Sequence, residues 1–73
     1  MNKENKNEFI IKGDFIELIK LLKALGLCEN GAAAKTIVDE NKVLVNNALE
    51  KRYRAKLLKG TKVTVNEVDY FVI

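Results

Sequence analysis

No histidine occurs anywhere in the chain, which removes both the commonest general base and the commonest metal ligand. The single cysteine, Cys28, cannot close an internal disulfide, so a reducing, cytoplasmic setting is the simplest expectation. Aromatic residues are scarce, two Tyr and three Phe; Trp and Pro are absent without consequence for the reading. No apolar run approaches the ~18 residues of a membrane span, so no membrane partner is expected. The acidic residues Asp14, Asp39, Glu40, Glu50, Glu67 and Asp69 are scattered and offer no acid–base pair. With no phosphate-binding glycine loop and no metal-ligand cluster, neither an enzyme nor a cofactor is called for.

Positive charge is abundant in one place. Between Lys51 and Lys62 there are six basic residues in twelve positions (Lys51, Arg52, Arg54, Lys56, Lys59 and Lys62) and no acid. The chain has 13 Lys and Arg against 10 Asp and Glu; outside that window seven bases face ten acids, so one segment supplies the whole net charge of +3. Concentrated charge of one sign is the signature of a surface that meets a polyanion. The chain, 73 residues and 48% apolar, has the size of one small domain and too much apolar content for a disordered tail. Residues 1–8 are polar and mixed in charge, unlike a signal peptide, and are expected to form a flexible leader to a domain over 9–73.

The pattern of elements is α+β. Phe9–Lys12 suggests an opening strand, broken by Gly13. Asp14 with Glu17 three residues on resembles a capping box for a helix whose apolar stripe is Phe15, Leu18, Ile19, Leu22 and Leu25, closed by Gly26. Asn30 is suited to cap a second helix running to about Asn41, with Ala34, Ile37 and Val38 facing the first. Beyond Asn41 the period changes to two. Val43 and Val45 lead into a hairpin turn at Asn46-Asn47, with a return strand over Ala48–Lys51 that carries Leu49 inward. Gly60 marks a turn, Thr61–Val65 alternates again, and Asn66-Glu67 turns into a last strand over Val68–Ile73. Phe9, Phe15 and Phe71 are expected in the core, Cys28 as a small apolar group beside it, and the tyrosines as half-buried strand residues.

Two stretches bear on function. In the basic segment, Arg52, Arg54 and Lys56 alternate and on an extended backbone would project from one side, with no internal acid to neutralise them. The arginine fork suits phosphate. The plainer reading is a solvated loop. In Asn30-Gly31-Ala32-Ala33-Ala34-Lys35, Gly31 leaves the helix start open to an anion, with Lys35 one turn on; the plainer reading is a small-residue helix start packed closely on its neighbour.

Taken in order, Leu25-Gly-Leu27, Ala34-x-x-Ile37-Val38 and Val43-x-Val45-Asn46-Asn47 with its basic follow-on resemble the αL RNA-binding domain. That module was first described in ribosomal protein S four and is reused in pseudouridine synthases, tyrosyl-tRNA synthetases and a heat-shock ribosome-rescue protein. The resemblance spans roughly residues 14–65. Asn30-Gly31 stands where the common form has a basic pair, Asn41 where it often has Gly, and Asn47 where it has the Gly of Asn-Gly. These differences, with Gly31-x-x-x-Lys35 and Lys51-Arg52-x-Arg54-x-Lys56-Leu57, are similar to a subgroup of small bacterial stand-alone domains. The resemblance implies a helix pair packed on a small, mostly antiparallel sheet of four to five strands. It also implies an RNA-binding face of Gly31, Lys35, Asn46, Lys51, Arg52, Arg54 and Lys56. The implied partner is structured RNA, ribosomal or transfer RNA, with a ribosomal subunit behind it, bound by a monomer. The rival expectation is a protein-interaction module, with the basic segment on an acidic partner and the Ala32–Ala34 face receiving a helix.

Overall fold

The computed structural model describes residues 7–73. Nine short elements follow one another: β1 (Glu8–Phe9), β2 (Phe15–Glu17), α1 (Leu18–Ala24), α2 (Gly31–Asp39), β3 (Val43–Val45), β4 (Ala48–Leu49), β5 (Lys56–Leu58), β6 (Lys62–Val65) and β7 (Val68–Val72). Five of them form one sheet in the order β1-β7-β6-β3-β4, antiparallel throughout except for the parallel β1–β7 edge. β2 and β5 pair antiparallel as a separate ribbon. The expected helix pair on a small, mostly antiparallel sheet is the observed architecture, with the ribbon added.

Local chemistry accounts for the joints. Asn30 caps α2 by accepting a hydrogen bond from the Ala33 N–H at 2.8 Å. Gly26 (φ 78°) ends the α1 turn in the left-handed region that glycine enters at little cost. Asn46 (50°) and Asn47 (72°), then Asn66 (53°) and Glu67 (71°), give both tight hairpins positive φ at two successive residues, which matches the right-handed twist of the strands they join.

One core fills the space between the helices and the large sheet. Leu18, Leu21 and Leu22 of α1, Ala34 and Val38 of α2, Val43, Val63, Val65 and Val72 of the sheet, and Leu57 of the ribbon are all buried. Each buried branched side chain contributes about 1.5–3 kcal/mol relative to an exposed one. Ala34 is fully buried, so the small residue serves the close approach of α1 and α2 and is not available to a partner helix. Cys28 is half-buried against this core.

Several expectations are corrected. Phe15–Glu17 is strand rather than the first turn of a helix, because Lys56–Leu58, far along the chain, pairs with it. Glu17 therefore becomes the N-cap residue of α1 with an extended backbone and makes no side-chain cap, and Asp14 caps nothing. The amides at the start of α1 are instead satisfied by Leu18 N–H to the Ala55 carbonyl (2.9 Å) and Ile19 N–H to the Tyr53 carbonyl (3.1 Å). Leu49 points outward, since β4 is an edge strand and Leu49 lies opposite Leu44 on the face away from the helices. Phe15 and Phe71 are exposed for the same reason of strand parity, and only Phe9 packs on the core. Glu8, assigned to the leader, opens β1 opposite Phe71, and the Asn7 carbonyl accepts from the Phe71 N–H at 2.8 Å. The rest of the expected leader, residues 1–6, lies outside the described residues.

Candidate nucleic-acid interface

The basic segment is held by an acid that stands just before it. The Glu50 N–H donates to the Val43 carbonyl (3.0 Å), which ties the end of the β3–β4 hairpin to its start. The Glu50 carboxylate then accepts from the backbone N–H of Lys51 (3.1 Å) and of Arg52 (3.0 Å), and from Arg52 Nε (3.1 Å) and Nη2 (3.4 Å). Its side chain is 14% exposed, whereas that of Arg52 is 80% exposed. The carboxylate is thus consumed inside the turn, and the guanidinium stands in water with donors to spare.

The Arg52 side-chain hydrogen bond, joined by the two backbone amides and by the charge of Arg52, holds the Glu50 carboxyl below its ordinary value of 4.5 against the opposing effect of burial. A lowered folded-state pKa stabilises the turn above the unfolded value, and that stability is lost as pH falls through the folded one. The amide resonances of Lys51 and Arg52 should therefore stay constant at neutral pH and move together only below about pH 4.5. Glu50→Gln should show the displaced shifts already at pH 7. Shifts that ignore both changes would mean that the carboxylate does not order the turn.

The chain then reverses over Tyr53-Arg54, with the Ala55 N–H donating to the Arg52 carbonyl at 3.4 Å. The Tyr53 hydroxyl donates to Asp39 Oδ1 at 2.6 Å, and the Lys35 ammonium lies 5.5 Å from the centre of the Tyr53 ring. Lys35 and Asp39 are one turn apart on α2, so Tyr53 lies along one face of that helix and brings Lys35 to the basic turn. The hydrogen bond to Asp39 also raises the Tyr53 pKa above 10.0, with desolvation and the Asp39 charge acting in the same direction. Arg54 Nε reaches Glu17 Oε1 at 3.4 Å, and the Lys56 ammonium lies 5.0 Å from the centre of the Phe15 ring.

Arg52, Arg54, Ala55 and Lys56 line one shallow depression. The expected convergence is present, but a turn produces it, not the alternation of an extended strand. The expectation that these charges lack internal partners is also corrected: Arg52 has Glu50 and Arg54 has Glu17, acids from just outside the window. With the guanidinium of each pair standing mostly in water, the pairing is screened and does not silence the cations. Lys35 stands over the ring of Tyr53 in the same turn, and Lys51 is exposed beside Arg52. Gly31 lies two turns before Asp39 on the same face of α2, at the end where the first amides have no intrahelical acceptor.

Asn46 stands apart. Its N–H donates to the Lys62 carbonyl (2.8 Å) and its Oδ1 accepts from the Lys62 N–H (2.9 Å), so it closes the hairpin against β6. It sits at the tip of the β3–β4 hairpin, about 10 Å along the strands from Glu50. Glu50, Tyr53, Asp39 and Glu17 were not among the expected site residues. The Glu50-x-Arg52 spacing is a local signal that could have exposed the first pair; nothing local announces the other two.

The family model of the S4 domain matches residues 9–73. YbcJ of Escherichia coli (strain K12) is 42% identical over 53 residues, which cover 73% of this chain and 76% of that protein. YbcJ of Shigella flexneri matches to the same extent. The solution structure of E. coli YbcJ aligns with a TM-score of 0.73 at 35% identity, covering 96% of this chain and 90% of that one. It is described as revealing an αL motif involved in RNA binding.

Proposed function

This chain belongs to the S4 domain family, and on that premise we propose that it binds structured RNA, without catalysis, through the turn Lys51–Lys56 and the Gly31–Lys35 end of α2. The observation that carries the reading is the division of labour at Glu50. A nearly buried carboxylate fixes the backbone of Lys51 and Arg52 and leaves an 80% exposed guanidinium pointing at solvent. An ordered turn presenting Lys51, Arg52, Arg54 and Lys56, with Lys35 beside it, suits a phosphate backbone held in fixed geometry. Folded RNA offers such a target, because its deep major groove excludes side chains and recognition rests on shape and phosphate position. Ribosomal or transfer RNA in a cytoplasmic setting fits best, with a role in ribosome assembly or rescue. Among the described residues no helix is long and apolar enough to cross a membrane.

Neutralising about four or five phosphates should give a log–log dependence of affinity on salt with a slope of roughly −3 to −5, measured by fluorescence anisotropy on an RNA hairpin between low and physiological salt. Affinity that does not change with salt would rule out the phosphate face. Competition by a DNA hairpin of equal length separates RNA recognition from a general attraction to duplexes, since the 2′-hydroxyl and the A-form groove differ between them.

A further inference from the structure

The outward face of the β2–β5 ribbon carries an apolar surface that the core does not use. Strand alternation sends Ile16 and Leu57 inward, whereas Phe15 and Leu58, directly opposite each other, remain 40% and 56% exposed. Ile10 and Lys12 border Phe15 across a shallow depression. On the same face and two pairs along the ribbon, Glu17 lies opposite Lys56; Glu17 holds Arg54, and the Lys56 ammonium rests over the Phe15 ring. The exposed aromatic is therefore continuous with the cationic turn.

An exposed phenylalanine flanked by lysine and arginine suits a nucleotide that is not base-paired. The ring stacks on the base, and the cation that covers the ring in the free protein turns to the phosphate. We infer that Phe15 and Leu58 form a shelf for one unpaired base of the bound RNA, so that the preferred target is a duplex interrupted by a bulge or ended by an overhang. The occupant follows from charge complementarity around the shelf and from its continuity with the proposed phosphate-binding turn, on which the inference rests. Phe71, also exposed, is placed differently: its neighbours across the strands are Lys62 on one side and the acidic Glu8 on the other.

The test compares RNA hairpins identical in length and phosphate count, one carrying a single unpaired adenosine and one an abasic residue at that position. The wild-type protein should bind the adenosine hairpin about tenfold more tightly. Phe15→Ala should erase that difference, Phe15→Tyr should keep it, and Phe71→Ala should leave it unchanged. Equal wild-type affinity for the two hairpins overturns the shelf while leaving the phosphate-face reading standing. Discrimination that survives in Phe15→Ala overturns it equally. Absence of RNA binding altogether removes the shelf together with the reading it rests on.

Discussion

Replacing Arg52 and Arg54 together by Glu should lower affinity for a structured RNA about a hundredfold or more at fixed salt. Hydrogen bonds between a guanidinium and phosphate are worth about 1.5–3 kcal/mol each, and two of them account for a loss of that size before the added repulsion is counted. The fold should tolerate the change. Both side chains are largely exposed, at 80% and 75%, so solvent screens their pairs with Glu50 and Glu17 and little stability rests on them. Reversal also sets a new carboxylate beside Glu50, so the melting temperature should fall by only a few degrees, in keeping with about 4–8 °C per kcal/mol in a domain of this size. Arg52→Gln with Arg54→Gln, which avoids that repulsion, should lose most of the affinity with less effect on melting. Undiminished binding by the reversed protein would sink the proposed interface. Collapse of the melting transition would reassign the two arginines to structure.

Leu21→Ala should have the largest effect on the fold. Leu21 is fully buried between α1 and the rest of the core. Truncating such a leucine removes its transfer free energy and leaves a cavity, at about 2–5 kcal/mol. A domain of 73 residues has about 4–11 kcal/mol of stability in all. The variant should therefore lose a large fraction of its urea midpoint, whereas Leu25→Ala, at the half-buried C-cap position just past the same helix, should lose much less. A loss below about 1 kcal/mol at Leu21 would contradict the packing of α1 described above.

The contrast between those two leucines shows how far the sequence can be read. Helical spacing picks out Phe15, Leu18, Ile19, Leu22 and Leu25, a stripe that starts a turn too early and omits the buried Leu21. Period and phase hold from Leu18 onward, where Leu18 and Leu22 are buried and Ile19 and Leu25 pack on the core; the start does not, because Phe15–Glu17 satisfy β pairing just as well, and the strand that claims them lies at Lys56–Leu58. Strand parity misled in the same way at Leu49 and Phe71, where alternation is visible but the face that meets the helices is not.

Features that depend on a few consecutive residues were legible in the chain: the Asn30 cap, the left-handed Gly26 and Gly60, the hairpin turns at Asn46-Asn47 and Asn66-Glu67, and the excess of positive charge after the first hairpin. Their energetics are local, so spacing alone reports them. The folded chain settled which charges stand together and what holds them. Glu50 orders the turn, Asp39 and Tyr53 bring Lys35 to it, Asn46 is drawn away to Lys62, and Phe15 surfaces beside Lys56. Those contacts join segments that are distant in the chain, or depend on which face of a strand meets the core. Their free energy exists only once the core has set the elements against one another.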